Sequence, residues 1–343
     1  MRILIIRRGA VGDTVVTLPT LGILRTCYPD AYIEVIGNPD YWEIAHKRYY
    51  VDAVSKGDAK LTPELYSRGG EIGKGLSHYF SSFDLIIGYV SDPDGTLSEN
   101  LRKTGAGRVV TRSPFPKGDE RHAADYTALV LTEIGLEVNP PLFPKIHLND
   151  EDLAFAYQFL SSIEHNQAET PSMASLRIEQ FSHSAHKPFV AIHPRTYGIK
   201  GLPIETFVKI GKWVENTIDA KTMWITGQAE EENIDIIKLN FPSSILFHLQ
   251  PLPKVAAVLR LSRFYIGCDT GISHLAAAAG APVIALFGPT NPHVWGPRGS
   301  KVWIVKADDM AEFEDENLKE IIYKFDGIGD VKEYRILPYR PEK

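Results

Sequence analysis

Residues 264–287 read FYIGCDTGISHLAAAAGAPVIALF: an apolar β-type run, a loop of small residues, an alanine-rich helix and a second apolar run. Short runs such as Phe264–Gly267 and Val283–Phe287, apolar on both faces, fit strands covered on two sides. A strand, a helix at Ser273–Ala279 and another strand make a crossover unit, which joins parallel neighbours in one sheet.

The same alternation continues outward in both directions. Upstream lie strand Phe189–Ile192, helix Ile204–Thr217, strand Thr222–Thr226, helix Glu230–Leu239, strand Ile245–Phe247 and helix Lys254–Leu261. An earlier block repeats the pattern: Ile3–Ile6, an amphipathic stretch to Tyr28, Ala31–Ile36, Asp84–Tyr89 and Arg108–Val110, with a helix over Asp125–Ile134 closed by Gly135. Two α/β domains follow, each a Rossmann-like doubly wound parallel sheet, and 343 residues suit two domains of ordinary size.

The stretch 161–187 is polar and lacks periodicity, so it reads as a linker or insertion. The expected organisation is an N-terminal domain over 1–160, a C-terminal domain over 188–314, and a helix and tail over 315–343. The helical pattern at Leu318–Tyr323 is expected to pack back on the N-terminal domain.

With 44% hydrophobic and 23% charged residues, the chain is neither disordered nor fibrous. Its net charge of −6 argues against general nucleic-acid binding, which depends on a surplus of Lys and Arg. Cys27 and Cys268 match no metal or redox spacing. Only Ile3–Ile6 precede Arg7 and Arg8, too few apolar residues for a signal core or a spanning helix, so a cytoplasmic protein is expected.

Parallel sheets bind ligands beyond the carboxyl ends of their strands. The loop after the first strand, Arg7-Arg8-Gly9-Ala10-Val11-Gly12-Asp13-Thr14, lets a backbone approach a ligand closely at Gly9 and Gly12. Its spacing is not that of a dinucleotide fingerprint. Asp13 is either a helix-capping carboxylate or a general base, and both readings stay open. In His193-Pro194-Arg195-Thr196-Tyr197-Gly198-Ile199-Lys200, a guanidinium, a hydroxyl and an ammonium suit a phosphate, or else form a solvated basic turn. His193 reads as structural. At Asp269-Thr270-Gly271-Ile272-Ser273-His274 a helix N-terminus offers an anion site, with Asp269 facing sugar hydroxyls or simply capping the helix. Glu230, past another strand end, is a ribose ligand or an ordinary helix-start glutamate. Lys56, Lys60, Arg68 and Lys74 read as a solvated face.

Taken in order, R-x-G-A-V-G-D-x-x-x-x-L-P from Arg7 to Pro19, H-P-x-x-x-x-x-K from His193 to Lys200, D-T-G-x-x-H-L-A-A-A from Asp269 to Ala278, and F-G-P-T-x-P-x-x-W-G-P from Phe287 to Pro297 resemble glycosyltransferase family nine along nearly the whole chain. These are the ADP-heptose:lipopolysaccharide heptosyltransferases. The resemblance implies a GT-B fold, with the two domains facing across a cleft, and an inverting, metal-independent heptose transfer. It implies Asp13 as the base, Thr196 and Lys200 on the diphosphate, Asp269, Thr270, Gly271 and His274 on the donor sugar and its phosphates, and Glu230 on the ribose. Gly9, Gly12 and Arg195 would support the loops or the acceptor. Gly9 and Ala10 replace the family's small hydroxyl residues, and Leu202 replaces its usual aromatic.

The expected partners are a nucleotide-sugar donor, ADP-heptose by resemblance, and a glycan or lipid-linked acceptor. Peripheral contact with the cytoplasmic face of the inner membrane stays open, and no cofactor or metal is expected. A noncatalytic nucleotide-sugar-binding protein of the same fold is the alternative. A nicotinamide oxidoreductase would need a glycine fingerprint with an acidic ribose partner, and that pairing is absent from the sequence.

Overall fold

The computed structural model describes residues 1–116, 118–164, 188–313, 315–327 and 332–338. Contacts divide the chain into two compact units, Met1–His147 and Leu148–Lys343.

The first unit runs β1 (Arg2–Arg7), α1 (Val11–Cys27), β2 (Tyr32–Gly37), α2 (Pro39–Trp42), β3 (Ala53–Lys56), α3 (Gly57–Lys60), α4 (Lys74–Ser81), β4 (Leu85–Tyr89), α5 (Thr96–Lys103), β5 (Arg108–Arg112) and α6 (Ala123–Ala128). Among the described residues its strands pair in parallel in the order β3-β2-β1-β4-β5. Ile3–Ile6 are wholly buried in the central strand, with helices covering both sheet faces. On one face Leu4, Ile6 and Ile86 pack with Phe80, Phe83, Leu97 and Leu101. The helix expected over Asp125–Ile134 is divided, since a 3-10 turn over Leu129–Ile134 follows α6; Gly135, at φ 87°, ends it as expected.

The second unit runs α7 (Asp150–Glu164), β6 (Phe189–His193), α8 (Ile204–Thr217), β7 (Lys221–Thr226), α9 (Ile234–Asn240), β8 (Ile245–His248), α10 (Leu252–Arg260), β9 (Phe264–Cys268), α11 (Gly271–Ala279), β10 (Val283–Phe287), α12 (Pro292–Trp295), β11 (Lys301–Lys306), α13 (Asp315–Gly327) and β12 (Glu333–Pro338). Its parallel strands lie in the order β12-β11-β10-β9-β6-β7-β8. The strand sequence reverses direction between β6 and β9 here, and between β1 and β4 in the first unit. In a doubly wound sheet these reversals are where a crevice opens.

Two features of the chain's organisation differ from the sequence expectation. Helix α7 groups with the second unit, because Phe159 packs edge-on against Phe247 with ring centres 4.7 Å apart and Lys254 lies 4.4 Å from the Phe155 ring. Residues 165–187, most of the expected linker, lie outside the described residues. The C-terminal helix, expected on the N-terminal domain, groups with the second unit. Leu318, Ile322 and Phe325 of α13 are fully buried in the core beneath β6, β9 and β10, and β12 extends that same sheet beside β11. Their apolar spacing specifies a buried face without specifying which sheet it covers.

Candidate functional site

In the first unit the chain leaves β1 at Arg7, turns through Gly9 at φ 152°, and enters α1 after Ala10. Asp13 is the third residue of the helix. Its Oδ2 accepts the Ala10 N–H at 2.9 Å, the carboxylate half of a capping box, while Ala10 has no side-chain oxygen to return the bond. Its Oδ1 accepts from Arg7 Nη2 at 3.0 Å. Asp13 is therefore a helix-end carboxylate as well as a base candidate, and its side chain stays 16% exposed.

Packing dictates both neighbours. A Cβ on Gly9 would sit 2.6 Å from Asp13 Oδ2, so only glycine leaves room for the carboxylate. Arg7 Nη1 donates to the Pro114 carbonyl at 3.0 Å, and the guanidinium lies 5.3 Å from the Tyr89 ring. Burial pushes the Arg7 pKa below the usual arginine value, while the charge of Asp13 pulls it back up. Gly12 is the second residue of α1, in the same turn as Asp13.

Beyond the carboxyl ends of β1, β2 and β3 lies a cavity of about 470 Å³, lined by Arg8, Gly9, Asn38, Asp40, Lys56 and neighbouring glycines. Sequence patterning leaves Lys56 on a solvated face. The turn signal Asn38-Pro39 directly after β2 is the clue that it borders a hollow.

In the second unit, β6 and β9 end side by side, His193 pairing with Gly267, at the reversal point of the sheet. The β6 loop folds on itself. Leu202 N–H donates to Arg195 O at 3.0 Å, and a Cβ at Gly201 would meet the Thr196 backbone at 2.7 Å. This brings Lys200 back so that its Nζ lies 2.5 Å from Asp269 Oδ2. The ion pair lacks hydrogen-bond alignment, and Asp269 Oδ2 is buried without a hydrogen-bond partner.

Asp269 does not cap α11. Thr270 does, its hydroxyl oxygen accepting from Ser273 N–H at 3.4 Å. The helix thus leaves the Asp269 carboxylate unused, and the capping reading of that residue is overturned. Gly271 opens α11, and His274, buried, occupies its first turn.

Thr196 is half-buried, and its Oγ1 accepts from Asn233 Nδ2 at 3.0 Å. Asn233 ends the 3-10 turn Gln228–Asn233 and is itself buried. Glu230, in the same turn, is 3% exposed, and its Oε2 accepts the Gly227 N–H at 2.9 Å. His193 Nδ1 lies 3.0 Å from the Ile225 carbonyl, which can only accept, so Nδ1 carries the proton. Burial lowers the His193 pKa, and the charge of Glu230 opposes that shift. Arg195 stacks on the exposed Tyr197 ring at 4.4 Å.

Thr196, Lys200, Asp269, Thr270, Gly271 and His274 thus share one end of the second sheet, with Glu230 on the adjoining β7 loop. Asp13, Gly9 and Gly12 belong to the first unit. Asn233 is absent from the sequence-derived set, because a buried asparagine late in a turn carries no motif of its own.

The model of glycosyltransferase family 9 (heptosyltransferase) matches residues 111–322. Lipopolysaccharide heptosyltransferase 1 of Pseudomonas aeruginosa is 23% identical over 316 residues, which cover 87% of this chain and 82% of that protein. The enzyme of that name from Escherichia coli O18:K1:H7 is 29% identical over 136 residues, 39% of this chain and 41% of its own length. Among solved structures, E. coli heptosyltransferase WaaC with ADP superposes with a TM-score of 0.66 at 18% identity, covering 95% of this chain and 100% of that one. The same enzyme has been solved with ADP-2-deoxy-2-fluoro heptose, with a TM-score of 0.65 at 18% identity, covering 94% and 99%. These likenesses give the fold, GT-B, with its two Rossmann-like domains. By the match over residues 111–322, the chain belongs to glycosyltransferase family 9, the heptosyltransferase family.

Proposed function

We propose that this chain is an inverting, metal-independent glycosyltransferase. It moves a heptose or related sugar from ADP-heptose to a hydroxyl of a lipopolysaccharide-core or other glycan acceptor. The observation that carries this is the gathering of Lys200, Thr196, Asp269 and the α11 N-terminus at the reversal point of the second sheet.

In this reading the diphosphate lies against the Lys200 ammonium, the Thr196 hydroxyl and the first N–H groups of α11, and Glu230 meets the ribose. Asp269, Thr270, Gly271 and His274 take the donor sugar and its phosphates. Transfer is one displacement at the anomeric carbon: the acceptor oxygen bonds as the bond to the β-phosphate oxygen breaks. Asp13 receives the acceptor proton, and the anomeric configuration inverts. Negative charge then gathers on the departing diphosphate, where a fixed ammonium and a helix N-terminus stabilise it. The acceptor is assigned to the first unit, whose cavity borders Gly9. A lipid-linked acceptor would be met at the cytoplasmic face of the membrane; no described helix is long and apolar enough to cross one.

The competing reading is a noncatalytic nucleotide-sugar-binding protein, favoured by one observation: both Asp13 oxygens are already engaged. Incubation with ADP-heptose and a panel of soluble and lipid-linked glycans separates the two. Acceptor-dependent ADP release with a new glycan product supports transfer. Donor binding without release on any acceptor supports the binder.

A further inference from the structure

The Asp269 carboxylate is an unusual group to bury. Its side chain is 7% exposed, its Oδ2 lacks a hydrogen-bond donor, and α11 is capped by Thr270 without it. What compensates its charge is Lys200, 2.5 Å away and 35% exposed. Lys200 is also the cation that a diphosphate would use. One ammonium therefore stands between two anions, one built into the chain and one brought by the ligand.

We infer that Lys200 and Asp269 couple the diphosphate and sugar halves of the donor site, so that the chain binds a sugar nucleotide in preference to the nucleoside diphosphate left after transfer. This rests on the donor reading given above.

A bare diphosphate either draws the ammonium off Asp269 or shares it. In both cases a second anion is set against a buried carboxylate whose Oδ2 has no hydrogen-bond partner, and an uncompensated buried charge is costly. A sugar nucleotide brings the same diphosphate together with hydroxyls that donate to the Asp269 oxygens, which removes the penalty. Once the sugar has moved to the acceptor those donors are gone. The site then disfavours its own product, and ADP leaves without competing strongly with fresh donor.

The test is calorimetric titration of the full chain with ADP and with ADP-2-deoxy-2-fluoro heptose, for wild type, Asp269→Asn and Lys200→Met, with thermal unfolding confirming that each variant is folded. Asp269→Asn removes the buried charge. It should bind ADP at least about threefold tighter and the fluorinated sugar nucleotide at least about threefold weaker, shrinking the preference by roughly tenfold. Asp269→Ala should move both affinities in the same directions, and it serves if the asparagine variant is unstable. Unchanged or weaker ADP binding in both variants overturns the coupling. Lys200→Met should weaken both ligands. If ADP affinity is indifferent to Lys200, the donor-site reading itself fails; if it depends on Lys200 but not on Asp269, the coupling alone fails.

Discussion

Arg7 and Asp13 form an ion pair in which the guanidinium side is 1% exposed while the carboxylate, 3.0 Å away, keeps 16% of its side chain open. Each residue then depends on the other: Asp13 is oriented by Arg7, and Arg7 is tolerated in the core because of Asp13. Asp13→Asn should abolish turnover and, independently, destabilise the first unit by about 2–3 kcal/mol, less than the roughly 3–5 kcal/mol of a fully buried broken pair because Asp13 is partly solvated. Urea unfolding and ADP release measure the two effects separately. The double variant Arg7→Met/Asp13→Asn should regain most of the stability and none of the turnover. Full turnover in Asp13→Asn would remove the base assignment.

Gly9→Ala tests the geometry without touching a charge. The new methyl would fall 2.6 Å from Asp13 Oδ2, on a backbone at φ 152°, so the carboxylate has to move. A displacement of that kind should lower kcat by on the order of tenfold to a hundredfold while nucleotide affinity, which the proposal assigns to the other unit, stays within twofold or so. An unaltered kcat would mean that the position of Asp13 is immaterial.

Asn233 holds Thr196 from a turn 37 residues further along the chain. Asn233→Ala should weaken ADP binding by about fivefold through the loss of one positioning hydrogen bond. Asn233→Asp should weaken it further, because it sets a negative charge beside the expected diphosphate. Calorimetry that ranks the two variants the other way would sever Thr196 from phosphate binding.

His193 makes the second unit acid-sensitive. Burial holds its folded-state pKa below the ordinary 6.5, so the unfolded chain takes up the proton first and stability falls as pH drops below 6.5. His193→Asn, which keeps a donor for the Ile225 carbonyl, should show a shallower decline of Tm between about pH 6.5 and 5 than the wild type. Parallel Tm curves would assign that acid sensitivity to other groups.

If Lys200 and the α11 N-terminus stabilise the leaving diphosphate, turnover in EDTA should match turnover in magnesium to within about twofold, against losses of a hundredfold or more expected when a required cation is removed. A large loss in EDTA, restored by magnesium, would replace this account of leaving-group stabilisation.

Much of the fold is legible in the sequence because parallel α/β architecture is written locally. Ile3–Ile6, Phe189–Ile192 and Phe264–Gly267 are apolar on both faces, and the helical periodicities between them force crossovers. Less legible are β3, β11 and β12 and the destination of α13. Their residues signal a strand or a buried helical face, but the choice of neighbour depends on which sheet leaves an edge or a groove free. The division near His147 is obscured similarly, since Phe155 and Phe159 find their partners only in the folded second unit.

At the site, the chain's own pattern determines which groups are supplied: a carboxylate one turn into α1, a lysine ahead of α8, and an Asp-Thr-Gly start to α11. Only the tertiary structure decides how they are used. Thr270 rather than Asp269 caps α11, Lys200 folds back onto Asp269, a buried Arg7 clamps Asp13, and Asn233 reaches Thr196. Residue type and spacing limit what a side chain can donate or accept. Its actual partner is set by burial and by hydrogen-bond direction, and both arise from segments that meet only when the sheets are assembled.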